Sequence, residues 1–187
     1  MNLANKLSIL RILLVPFFIA SLVYYSPQQE VLRFVALSIF TVAVLTDAVD
    51  GYIARIKNIK TKLGTFLDPI ADKLLLISAF ICLSVIGNMP KELRLPAWVP
   101  IIVVSRDAII IFGSLLIYIV AGSLKVMPSL LGKLTTFFQM LTIIAMLLQF
   151  KFSFILWNIA IIFTVLSGIG YIIRGSKLFN GAQGSYQ

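Results

Sequence analysis

The stretch DAVDGYIARIKNIKTKLGTFLDPIAD, Asp47 to Asp72, holds four of the seven acidic residues of the chain. It lies in a very apolar sequence. Of 187 residues, 60% are hydrophobic and 12% charged, where a soluble domain is about 45–50% apolar and ~25% charged. An aspartate at membrane depth costs ~2.5–3.5 kcal/mol even on the lenient insertion scale. Four close together also repel, so something positive must offset them. Asp47 and Asp50 are spaced i, i+3 on a helix, and Asp68 and Asp72 i, i+4, so each pair projects from one helical face. Between them Arg55, Lys57, Asn58, Lys60, Lys62 and Gly64 read as a polar turn. A helix–turn–helix hairpin would bring the two faces together. Four converging carboxylates, with no histidine or cysteine nearby, form a hard oxygen site suited to Mg²⁺ or Mn²⁺, singly or as a pair. The alternative is ion pairing with Arg55, Lys57, Lys60, Lys62 and Lys73. That explains partial burial. It does not explain why all four acids are aspartates in helical pairs accompanied by Gly51 and Gly64.

Outward from this stretch the chain reads as one domain, residues 1–187, of an all-α integral membrane protein. Six apolar runs are long enough to span at ~20 residues each. They cover about Leu7–Tyr25, Val31 to the first half of the motif, Thr65–Ile86, Ala97–Val120, the segment after the loop Ala121–Gly132 to Phe150 and the segment after Lys151 to Ile173. A short polar lead before the first run is expected along the interface. Pro16 and the absence of a small-residue cleavage site make the first run a retained helix. The formal charge of +9 fits basic loops facing anionic headgroups and not nucleic acid. Twelve of the sixteen basic residues gather on one side, which the positive-inside rule places in the cytoplasm with both termini and the motif. Without histidine, imidazole catalysis and ligation are impossible, and the lone Cys82 excludes an internal disulfide. Trp98 and Trp157 read as interface residues. Ser38, Ser78, Ser84, Thr135 and Thr136 can bond carbonyls of their own helices.

The pattern Asp47-x2-Asp50-Gly51-x2-Ala54-Arg55-x8-Gly64-x3-Asp68-x3-Asp72 resembles the signature of the CDP-alcohol phosphatidyltransferases, complete in all eight fixed residues. Asn5-Lys6-Leu7-Ser8-x-x-Arg11, Ser105-Arg106-Asp107 and Gly132-Lys133 resemble the bacterial phosphatidylglycerophosphate synthases within it. The resemblance implies a six-helix bundle of that family, working as a homodimer. It implies transfer of a phosphatidyl group from CDP-diacylglycerol to glycerol 3-phosphate, with release of CMP. Serine, inositol, inositol phosphate or a second phospholipid are the other acceptors in the family. Two divalent cations are implied at Asp47, Asp50, Asp68 and Asp72, with Asp72 as the base that deprotonates the acceptor. Spacing alone does not separate Asp72 from Asp68.

Around this centre, Gly51, Ala54 and Gly64 either let helices pack closely or let the nucleotide approach the backbone. Arg55 is an interface anchor or, by the resemblance, a ligand of the donor diphosphate. Asn5, Ser8 and Arg11 form an interfacial cap or, by the resemblance, lie near the nucleotide. Arg106 pairs internally with Asp107 or grips an acceptor phosphate, and Lys133 and Arg174 either snorkel or complete that grip. The rival from another class is a cation transporter using intramembrane carboxylates. Against it, the acids crowd toward one face, and the broken helices and internal symmetry of secondary transporters are missing. A non-catalytic scaffold is a further alternative.

Overall fold

The structure, a computed structural model, describes residues 3–57, 62–86, 94–121 and 129–183, with side chains over 7–48, 71, 73–86, 94–114 and 129–176. It contains six helices: α1 (Leu3–Val23), α2 (Glu30–Lys57), α3 (Lys62–Val85), α4 (Trp98–Ala121), α5 (Leu130–Leu147) and α6 (Ser153–Gln183). No strand occurs among the described residues. Each expected run is a helix, as it must be where no water can satisfy the backbone. The polar lead is continuous with α1 from Leu3 onward, and Pro16 lies within that helix. The last helix runs ten residues past Ile173, where the apolar run ends, because a polar continuation outside hydrocarbon can stay helical as readily as it can unwind. The expected turns fall largely on residues 58–61, 87–93 and 122–128, outside the described residues.

Burial follows the helical period. On α1 the buried residues Ser8, Arg11, Val15, Phe18 and Leu22 recur every three or four positions, while Leu10, Leu13 and Phe17 are exposed. The same inversion marks α6, where Ile162, Leu166, Ile169 and Ile173 are exposed and Thr164 and Ser167 buried. Large apolar side chains outside and polar ones inside describe a bundle solvated by lipid. Among the described residues, 30–48, 130–147 and 153–176 are long and apolar enough to cross a membrane, and α1 and α3 add the shorter apolar stretches Leu7–Val23 and Lys73–Val85.

Helix α1 packs on both α2 and α3, α3 also meets α4 and α5, and α6 packs against α4 and α5. The apolar core joins Phe18, Phe40, Leu76, Phe80, Leu83, Val103, Ile143 and Met146, with the Phe18 and Phe40 rings 5.9 Å apart. Cys82 is buried in the same core. Between α5 and α6 the contact is partly polar. Thr135 Oγ1 lies 2.8 Å from its own-helix Leu131 carbonyl and 2.9 Å from the Phe163 carbonyl across the seam, and Gln139 Nε2 donates to Thr164 Oγ1 at 3.1 Å. Ser78 and Thr136 also bond carbonyls of their own helices. Ser84 Oγ is buried and has no hydrogen-bond partner among the described residues. At α4–α6 Gly113 allows a close approach, since a β-carbon there would sit 2.7 Å from the Tyr171 ring, whose hydroxyl lies 3.1 Å from Ser114 Oγ.

One end of the bundle is closed by a second polar group. Arg33 donates through Nε and Nη2 to Glu30 and through Nη1 to the Leu147 carbonyl at 2.8 Å, with its guanidinium 4.6 Å over the Phe34 ring. A cation suits the negative C-terminal end of α5. That helix ends in a Schellman motif, Phe150 N donating to Ala145 O and Gln149 N to Met146 O. Gln149 takes the left-handed position at φ 55°. Tyr25 donates to Glu30 at 3.2 Å, and burial, then that carboxylate, holds its phenol above the ordinary value. Trp98 and Trp157 pack edge to face at 5.6 Å, joining the starts of α4 and α6.

Candidate active site

At the other end of the bundle the motif straddles two helices. Asp47, Asp50, Gly51, Ala54 and Arg55 lie on the last turns of α2, and Gly64, Asp68 and Asp72 on the first turns of α3. Of these side chains only Asp47 is among those described. The side chains of Asn5, Asp50, Ala54, Arg55, Asp68 and Asp72 and the surroundings of Gly51 and Gly64 lie outside the described residues. Helix α1 packs against both α2 and α3. From it Arg11, 2% exposed, reaches Asp47, with Nη1 2.6 Å from Oδ1. Asp47 itself is 31% exposed. Ser8, one turn earlier on the same face of α1, is fully buried. Spacing alone did not attach Arg11 to the motif. The signal available was physical: an arginine inside an apolar run must meet an acid at its own depth, and Asp47 and Asp50 are the acids α2 offers.

A second charged cluster includes the residue that follows the motif. Lys73 directly follows Asp72 on α3, and its Nζ donates to Asp107 Oδ1 at 2.8 Å and sits 2.7 Å from Oδ2. Arg106 Nη1 donates to the same Oδ1 at 2.7 Å, and Nη2 to Ser167 Oγ at 2.6 Å. The cluster thus ties α3, α4 and α6. Helix α5 joins it at its capped start, where Ser129 Oγ accepts from Gly132 N at 3.0 Å. Gly132 keeps this place open, because a β-carbon there would stand 3.3 Å from Arg106 Nη2.

The three proposed acceptor cations differ. Arg106 is buried at 7% exposure and internally paired. Lys133 follows Gly132 and is exposed. Arg174, also exposed, lies about two turns beyond Ser167 on α6 and donates through Nε to its own-helix Gly170 carbonyl at 2.9 Å. No hydrogen bond joins either to Arg106 among the described residues.

A family model described as CDP-alcohol phosphatidyltransferase matches residues 1–166. The chain belongs to this family. As a CDP-alcohol phosphatidyltransferase it is a membrane-embedded transferase, and the all-helical bundle agrees. Its similarity to curated relatives runs over nearly the whole chain. A protein of Mycobacterium tuberculosis named probable phosphatidylglycerophosphate synthase is 35% identical over 186 residues, 96% of this chain and 84% of that one. CDP-diacylglycerol–glycerol-3-phosphate 3-phosphatidyltransferases of Bacillus subtilis and Haemophilus influenzae are 33% and 34% identical, covering 92% and 96% of this phosphatidyltransferase and 94% and 97% of their own lengths.

Proposed function

We propose that this phosphatidyltransferase transfers the phosphatidyl group of CDP-diacylglycerol to glycerol 3-phosphate, giving phosphatidylglycerophosphate and CMP. The observation that carries this reading is the complete eight-residue motif, divided between the end of α2 and the start of α3, with α1, which packs on both, delivering a buried arginine to its first aspartate. The names of the relatives support glycerol 3-phosphate over the other acceptors of the family.

Asp47 and Asp50 near the end of α2 and Asp68 and Asp72 near the start of α3 offer only oxygen donors, a set that fits Mg²⁺ or Mn²⁺. Two such ions, when bound, supply positive charge against the donor diphosphate and the departing CMP. The protein's own groups do the rest. Arg11 holds Asp47 in orientation. Arg55 reads as a diphosphate ligand, with Asn5, Ser8, Gly51, Ala54 and Gly64 around the nucleotide. Asp72 takes the proton of the acceptor hydroxyl, whose oxygen attacks the phosphorus bearing the diacylglycerol. The bond from that phosphorus to the CMP oxygen breaks, and CMP leaves. Arg106, with Lys133 and Arg174 toward the surface, binds the acceptor phosphate. The basic side faces the cytoplasm of the cell membrane, where both the nucleotide and glycerol 3-phosphate are soluble. Family resemblance supports a homodimer as the working assembly.

The test separates the aspartates by role. Chelation by EDTA should abolish turnover of purified protein, and Mg²⁺ or Mn²⁺ should restore it. Asp72→Asn should lower kcat by about 10²–10⁴, the usual share of acid–base catalysis, with donor binding largely kept. Asp50→Asn should weaken donor binding together with kcat, and added metal should partly restore both. Equal rescue of both variants by metal would make Asp72 a ligand only and move the base to Asp68. Full activity in chelator would remove the metals from the reading.

A further inference from the structure

Asp107 sits at the centre of the second cluster, 2% exposed, with Arg106 Nη1 and Lys73 Nζ both on its carboxylate. Among the described residues, two positive charges against one negative leave that cluster one positive charge in excess. Two further features raise the potential there. The start of α5 approaches the Arg106 guanidinium at Gly132, bringing the positive end of a helix dipole beside a cation. No acid lies in the first turn of that helix to offset it. Arg106 Nε, moreover, is buried and has no hydrogen-bond partner among the described residues. Excess charge, a helix start and an unused charged donor together describe a place for a second anion, and phosphate matches a guanidinium best. The cluster also stands one residue from Asp72, since Lys73 follows it on α3.

We propose that Asp107 is a resident counter-anion, that Lys73 joins Arg106 in binding the acceptor phosphate, and that this phosphate competes with Asp107 for both cations. The inference rests on the reading that the acceptor carries a phosphate. Asp107 is then a positioning residue. It keeps the buried Arg106 and the half-buried Lys73 paired while the acceptor is away and makes an anion the condition for releasing them. A purely structural anchor has the opposite signature. Its removal would loosen α3 against α4 and weaken every substrate, whereas removing a competing anion tightens phosphate.

The probe is inorganic phosphate, used as an inhibitor of the full-length protein and titrated directly in the absence of acceptor. Phosphate should compete with the acceptor and not with CDP-diacylglycerol. Asp107→Asn should lower its inhibition constant about tenfold, the effect of one charge-assisted hydrogen bond, with the donor KM unchanged. Lys73→Gln should raise it by a similar factor, and Asp107→Glu should restore the wild-type value. Competition with the donor would overturn the proposal, as would phosphate binding unchanged or weakened in Asp107→Asn. If Asp107→Asn does not fold, Lys73→Gln decides, and an unchanged phosphate constant there overturns the proposal. Tighter phosphate in Asp107→Asn without turnover of glycerol 3-phosphate by the wild type would leave this inference standing and remove only the acceptor assigned above. Turnover of glycerol 3-phosphate without that tightening would do the reverse.

Discussion

Arg11 and Arg106 are both nearly buried arginines in apolar helices, and each has found an acid. Their partners differ in what they are free to do. Asp107 is enclosed and shared with Lys73, while Asp47 keeps about a third of its side chain exposed at the end of α2. Arg11 therefore orients a carboxylate that still faces outward. Replacing it with Met should lower kcat/KM for the donor by about tenfold, the lower end for a charged hydrogen bond at a partly exposed acid. Arg11→Lys should recover part of that loss, because the charge stays and the planar fork goes. The measurement is turnover across a metal titration on folded protein, and wild-type kinetics in Arg11→Met would detach α1 from the site. At this scale the sequence was most informative where chemistry and spacing coincide, as in the eight motif residues. It was least informative for side chains whose partner comes from another helix. Nothing in Ser105-Arg106-Asp107 announces that Lys73, 34 positions earlier, shares the carboxylate.

Helices were legible because lipid leaves the backbone few alternatives, and apolar runs mark where it lies. Their ends were less so. The start of α5 depends on a serine hydroxyl that caps Gly132, and its end on a left-handed Gln149, a position where glycine is the usual residue. Neither is visible in hydropathy. The Schellman turn leaves the Leu147 carbonyl to Arg33 of α2, so a local backbone choice fixes how α5 meets its neighbour. Gln149→Gly should stabilise the protein by about 1 kcal/mol, since a side chain in the left-handed region costs roughly 1–2 kcal/mol and glycine gives part of that back as chain entropy. A raised thermal midpoint in detergent, with unchanged activity, is the expected result. A lowered midpoint would mean that the glutamine side chain makes contacts worth more than the strain.

Taken whole, the bundle has two polar ends and an apolar girdle. At one end lie Arg11–Asp47 and the Lys73–Asp107–Arg106 cluster; at the other lie Arg33, Glu30 and Tyr25. The expectation from the positive-inside rule is that the first end faces the cytoplasm, and it can be tested. Cys82 gives access to it. The only thiol of the chain is enclosed among the side chains of α3 and its neighbours, so Cys82→Ala leaves a polypeptide with no sulfhydryl at the cost of a small cavity. On that blank background, single cysteines at the exposed positions Ser176 and Lys151 become chemical flags for the two faces. A membrane-impermeant maleimide applied to intact cells should mark Lys151→Cys and spare Ser176→Cys until the membrane is opened. The opposite pattern would turn the molecule over and carry the nucleotide-facing mouth to the outside.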